Sequence, residues 1–282
     1  MIKVLCISAT LLCSAIIANA QEKIDVMRYE YQLTSPSTSA TGDEESLQSS
    51  TEIIYLDIKG TESRCGSEGN LKREETLLEF STGAKKDADF SVRMQALSQY
   101  RSRVKWLVYK NGSQLNTYGN SGIEAYNLGE TNNLVKWNIS NEIEDYNGMK
   151  VQKAIGELSG RTWTVWFTQE IPLIDGPYKF KNLPGFVVKA EDSTGDYKFE
   201  FLKSEKATTA YWLSGRHEKA MNVDKKQWDK IRTVNANKSF SQLMNERGGT
   251  ATFKMVDEKG KDITDDMTKK KMGKEDKPIE FY

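Results

Sequence analysis

The sequence predicts a mainly β protein: an antiparallel meander forming a curved sheet, half-barrel or bowl, with a small helical segment near the C-terminal part. Three observations point there. Short runs with two-residue alternation of apolar and polar side chains recur along the chain. Turn dipeptides such as Asn111-Gly112, Asn147-Gly148 and Ser159-Gly160 separate several of them at hairpin spacing. The period then changes to a helical one beyond residue 224.

The chain opens on a secretory leader. Lys3 supplies a positive start, residues 4–17 an apolar stretch and Ala18-Asn19-Ala20 a small-residue cleavage site, so cleavage is expected after Ala20. The apolar stretch falls short of the ~20 residues of a membrane span, and no later stretch approaches that length. Residues 21–282 are then expected as a single β-rich domain, exported to the periplasm, the outer surface or the medium. Of three cysteines, Cys6 and Cys13 leave with the leader; Cys65 alone remains, which excludes an internal disulfide or a cysteine metal cluster. Its setting between Arg64 and Gly66 predicts a loop or partly buried thiol. Forty basic and forty acidic side chains leave the chain near neutrality, favouring neither nucleic acid nor an anionic membrane surface.

Residues 24–33 alternate Tyr29, Tyr31 and Leu33 against Arg28, Glu30 and Gln32, a strand with one wet face. Residues 34–51 are rich in Ser and Thr and poor in large apolar side chains, and are expected as a mobile loop. Residues 52–59 and 75–80 are short apolar runs that suit a hairpin with a long connection. Phe90, Met94, Leu97 and Tyr100 could line a helix within 87–101. Residues 104–109 run into Asn111-Gly112, a hairpin signal. Residues 135–139, 150–158 and 161–168 read as three antiparallel strands joined by tight turns, the last carrying Trp163, Val165 and Phe167 on one face and Thr164, Trp166 and Thr168 on the other. Residues 186–190, 197–202 and 207–213 continue the strands. Trp228, Ile231 and Val234, then Phe240, Leu243 and Met244, are helically spaced, with Gly248-Gly249 as a stop. A charged segment covers 257–277, and 278–282 is apolar enough to dock as a last strand or tie.

Residues 160–190 hold three of the five prolines. Pro172, Pro177 and Pro184 fix φ and bias Ile171, Gly176 and Leu183 toward extended backbone, while Gly176 and Gly185 add freedom beside them. The pattern describes a chain that leaves one strand, crosses over and re-enters another. Its aromatic side chains either fill the core or line a concavity. The second reading makes the concave side near Trp166, Glu170, Tyr178 and Lys179 a candidate interaction surface.

The order Trp166-Phe167-Thr168, Glu170-Ile171-Pro172, Gly176-Pro177-Tyr178-Lys179-Phe180 and Asn182-Leu183-Pro184-Gly185-Phe186-Val187 resembles the signature of the GLPGLI family, exported proteins of Bacteroidetes-type bacteria. Gly176, Pro177, Leu183, Pro184 and Gly185 carry the likeness, which is strong over 134–202 and loose elsewhere. Asn182 stands where that signature has its first glycine, Phe186-Val187 replaces Leu-Ile, and Val151 replaces a cysteine. The resemblance implies export and a β-rich fold. It implies no established activity or ligand, and it brings an association with outer-membrane transport systems. The expected shape is also similar to the bowl-shaped β domain at the front of some bacterial glycan amidases. Asp192-Ser193-Thr194 resembles an O-glycosylation acceptor of that bacterial group, with Ser193 as acceptor.

Reactive constellations are sparse. Glu170, Asp175 and Asp192 are the carboxylates a glycosidase pair would draw on, but no spacing selects two of them. There is no G-x-S-x-G elbow, and the single histidine, His217, reads as a surface residue between strand and helix. No His pair, Cys pair or calcium loop marks a metal site, and no cofactor motif is present. The expectation is a non-enzymatic binding or accessory protein of the bacterial envelope whose partner is an outer-membrane transporter or another envelope protein. The alternatives are a hydrolase of an envelope polymer using the acidic residues named above, and a purely structural envelope component.

Overall fold

The computed structural model describes residues 23–41, 44–82, 85–122, 124–131, 135–246, 262, 264–269 and 277–280. The expected leader, Gly248-Gly249, most of the charged segment 257–277 and the terminal Phe281-Tyr282 lie outside them. Twelve strands form one sheet: β1 (Ile24–Thr41), β2 (Glu44–Lys59), β3 (Glu62–Ser67), β4 (Trp106–Asn111), β5 (Gln114–Ser121), β6 (Glu124–Thr131), β7 (Asn138–Tyr146), β8 (Met149–Leu158), β9 (Arg161–Thr168), β10 (Phe186–Asp192), β11 (Lys198–Thr209) and β12 (Met221–Val223). Their order is β12-β6-β5-β4-β3-β2-β1-β11-β10-β9-β8-β7. All neighbours are antiparallel except β12, which runs parallel to β6, and the sheet does not close into a barrel.

The β7-β8-β9 meander follows the turn chemistry. Tyr146 pairs with Met149 across Asn147 (φ 52) and Gly148 (φ 80), and Leu158 with Arg161 across Ser159 (φ 53) and Gly160 (φ 80), two-residue turns that need positive φ at both positions. The β4-β5 hairpin turns one residue later than its dipeptide suggests, because Asn111 pairs with Gln114 and Gly112 (φ 54) opens the loop.

Three expectations are corrected. Residues 34–51 are not a loop: β1 and β2 stay paired from Met27–Ile58 out to Thr41–Glu44. The scarcity of large apolar side chains did not prevent a ladder, since main-chain groups pair whatever side chains they carry, and threonine suits a pleated strand. Pro36 sits beyond Thr34, where pairing with β11 ends, so it lies on an edge that tolerates a missing N–H. Residues 75–80 are helical, within α1 (Glu68–Thr82), and β2 turns instead into β3. Ser67 Oγ accepts the Asn70 N–H at 3.2 Å as the helix cap, and Leu71 and Phe80 turn inward. Residues 207–213 are no separate strand, because β11 runs unbroken to Thr209.

The remaining helices are α2 (Phe90–Ser98), α3 (Gly215–Glu218), α4 (Lys225–Ala236), α5 (Phe240–Glu246) and α6 (Thr264–Lys269). Asp224 and Gln227 form a reciprocal capping box on α4, whose Trp228 packs on Tyr126 with ring centroids 5.6 Å apart. The main core lies on one side of the curved sheet. It gathers Tyr31, Leu33, Ile54, Cys65, Val108, Trp163, Val165, Phe167 and Phe199 from six strands around Tyr178, Phe180 and Leu183.

Candidate functional site

The segment 169–185 leaves β9, crosses the inner side of the sheet and returns as β10. β9 and β10 are adjacent, so a short hairpin would have sufficed. The extra length is used to fill the concavity. Tyr178 packs on Trp106 at 5.0 Å and stacks over Phe199 at 6.4 Å, and Phe180 meets Trp163 edge-on at 4.8 Å. Its glycines and prolines serve this path. A side chain on Gly176 would strike Val187 at 2.7 Å, and one on Gly185 would strike Phe167 and the Thr168 carbonyl. Leu183 and Pro177 are buried and Pro184 is exposed. Asn182 has φ 66, a left-handed conformation that glycine adopts freely and asparagine tolerates.

Two buried charge clusters anchor the segment. The Lys110 ammonium donates to Asp175 Oδ1 at 2.5 Å, to the Gly176 carbonyl at 2.7 Å and to the Tyr178 carbonyl at 3.2 Å. Ser63 Oγ donates to the other Asp175 oxygen at 2.6 Å, and the Tyr178 N–H reaches Cys65 Sγ at 3.1 Å. In the second cluster Lys179 bridges Glu130 at 2.6 Å and Glu280, while Tyr178 Oη donates to Glu280. Lys225 approaches Glu130 from the other side at 3.1 Å. Buried lysines and carboxylates persist only when paired and hydrogen-bonded in this way.

The four residues expected on an interaction surface therefore separate. Tyr178 and Lys179 are buried, at 1% and 2% exposure, and belong to the core and its ion pairs, not to an open concave face. Trp166 is also buried, at 8% exposure, and is counted with the main core. Its Nε1 donates to Glu144 at 3.1 Å and its ring carries Lys189 at 4.0 Å. Glu144 is held below the usual carboxylate range by its hydrogen bonds from Lys153 and Trp166. Glu170 is exposed and accepts the Lys150 N–H at 2.8 Å.

The acidic residues considered for hydrolysis also part company. Asp175 is committed to Lys110 and Ser63, and Asp192 to Arg161 at 2.6 Å and to the Tyr197 N–H at 2.8 Å, whereas Glu170 faces outward. Ser193 is exposed in the β10-β11 turn, its N–H bonded to the Thr162 carbonyl at 2.9 Å. Cys65 is not a loop thiol: it sits within β3, fully buried, and burial pushes its thiol up to about 12. His217 is half-buried in α3, against the edge of Tyr118 at 5.1 Å, with Nδ1 2.9 Å from Ser214 Oγ. No group of three or more metal-ligating side chains occurs among the described residues.

An open groove of about 300 Å³ runs between β2, the start of α1 and the segment after α2, lined in part by Glu52, Glu68, Lys72 and Arg101. Glu52 is bound to Ser102 Oγ at 2.6 Å and the Arg103 N–H at 2.7 Å, and Glu68 to Tyr55 Oη at 2.5 Å and Lys72 at 2.6 Å.

Sequence reasoning missed Lys110 and Glu130, and it met Arg161 and Glu280 only as part of the family likeness, without a role. Lys110 carried a signal: it shares the alternating face of Trp106 and Val108, where a cation has no place unless a buried acid meets it.

No family model matches the chain, and no curated protein does. Solved structures similar to the chain include two of PNGF-II. The C2 crystal form aligns with TM-score 0.45 and 14% identity over 74% of this chain and 33% of that one. The P21 form aligns with TM-score 0.44 and 14% identity over 84% and 39%. The chain thus spans between a third and two fifths of the length of the structures it matches.

Proposed function

We propose that this chain is an exported binding or accessory protein of the bacterial cell envelope, and that it meets its partner at the β7 end of the sheet rather than in the concavity. One observation supports the reading: the concave side, where a bowl would hold a ligand, is filled by the chain's own residues 169–185, with its buried carboxylates and ammonium groups paired among themselves. Among the described residues, what remains open is an edge. β7 ends the sheet, carries Ile139 and Ile143 at 39% and 66% exposure, and breaks register with β8 between them. The adjoining outer face presents Ile155 at 45% exposure and Glu170. An extended segment of an outer-membrane transporter or another envelope protein would add to β7 by main-chain pairing, with the isoleucines setting the register.

Substituting Ile139→Lys and Ile143→Lys together tests this, because charges on an edge strand suppress pairing while exposed positions cost the fold little, ~0.5 kcal/mol each. Affinity capture from a detergent-solubilised envelope should lose the wild-type partners with the double variant. Full retention of those partners by a folded double variant would reject the β7 placement.

A further inference from the structure

The residues 277–280 belong to none of the twelve strands, yet Ile279 and Glu280 are buried at 8% and 6% exposure. They are held by side chains of the body. Tyr197 Oη donates to the Lys277 carbonyl at 2.8 Å, and the Arg161 guanidinium donates to the Pro278 carbonyl through Nη2 at 2.8 Å and Nε at 3.2 Å. Lys277 Nζ meets Asp196 at 2.7 Å. Ile279 enters the main core, and the Glu280 carboxylate receives Tyr178 Oη and Lys179 Nζ.

Three of the groups that make these contacts also have partners outside the segment they hold. Arg161 is fixed by Asp192 at 2.6 Å, Thr194 at 3.1 Å and Asp196 at 3.3 Å. Lys179 is fixed by Glu130, and Tyr178 by its ring neighbours and by its N–H on Cys65. Tyr178 also holds φ 51, a left-handed conformation that a tyrosine adopts only when its surroundings impose it. The seat reads two consecutive main-chain carbonyls, one aliphatic side chain and one carboxylate. Those are the elements of extended-peptide recognition, in which main-chain bonds supply affinity and pockets for side chains supply selectivity.

We propose that this seat is a peptide-binding site for an extended proline-aliphatic-glutamate segment, occupied in cis by residues 277–280 and able to take an acidic peptide of the same pattern from another chain. The proposal is independent of the β7 edge. Loss of β7 binding leaves it standing, and its own failure leaves the edge reading intact.

The test uses the full chain and a fluorescein-labelled, C-terminally amidated peptide containing Lys-Pro-Ile-Glu, followed by fluorescence anisotropy. Ile279→Asp places a charge in the core and should eject the native segment. That variant is expected to bind the peptide saturably, about tenfold or more tighter than wild type, because the seat is no longer filled. A peptide with glutamine for glutamate should bind about tenfold or more weakly, and adding Lys179→Met should have a similar effect, since each removes a charge-assisted hydrogen bond. Circular dichroism and a cooperative melt establish that the variant is folded. Should Ile279→Asp fail to fold, Glu280→Gln in the full chain serves instead, with the same ordering of affinities. No binding by a folded variant, or binding indifferent to both the peptide glutamate and Lys179, would overturn the proposal.

Discussion

Lys110 and Asp175 show most directly how the filling of the concavity is secured. Each is buried, and each has its hydrogen-bonding capacity taken up by the other and by Ser63, Gly176 and Tyr178. Removing one partner strands a charge in a dry interior, so Lys110→Met or Asp175→Asn should each destabilise the protein by ~3 kcal/mol in urea unfolding. The double substitution should cost clearly less than the sum, because the second change relieves the orphan the first created. Strict additivity would show that the pair is not coupled as its geometry requires. Alternation along 106–110 carried a signal for Lys110 that went unread, and its partner lies 65 residues away, beyond any local pattern.

Among the elements, the crossover 169–185 differs from the strands it joins. The strands follow a local rule, alternation with turns that accept positive φ, and they were legible for that reason. In the crossover, prolines and glycines announced an irregular path without saying where it went. Gly185 now has a steric account: a Cβ there would meet Phe167 Cδ2 at 2.9 Å as well as the Thr168 main chain. Gly185→Ala should therefore cost ~2 kcal/mol in thermal or urea unfolding through overpacking. Gly215→Ala, where a Cβ would meet nothing within 4 Å, should be neutral or slightly stabilising. Equal effects at the two sites would remove close packing as the reason for glycine at 185. The helix α1 shows the opposite case. A short apolar run fits strand or helix equally, and the Ser67 cap together with the Glu68–Lys72 pair at 2.6 Å decides for the helix.

For the molecule as a whole, the half-buried imidazole of His217 ties stability to pH. Burial, reinforced by the Arg216 and Arg64 cations, lowers it to about 4, against roughly 6.5 in an unfolded chain. As pH falls, the unfolded state takes up the proton first. This group therefore leaves stability untouched above pH ~6.5, erodes it between ~6.5 and ~4, and adds no further loss below that. The expected loss is of order 2 kcal/mol, read as a drop in urea midpoint between pH 7 and pH 4.5 that His217→Gln reduces; an unchanged pH profile in that variant would exclude the histidine. A mainly antiparallel β sheet with helices late in the chain was legible from the sequence, because alternation, turn φ and helix caps are properties of neighbouring residues. The occupied concavity, the burial of Tyr178 and Lys179, the dispersal of Glu170, Asp175 and Asp192, and the seat around Glu280 were settled only by the folded chain. They rest on contacts among residues 63, 110, 130, 161, 178 and 280, and no spacing in the sequence encodes which buried charge will find which partner across a curved sheet.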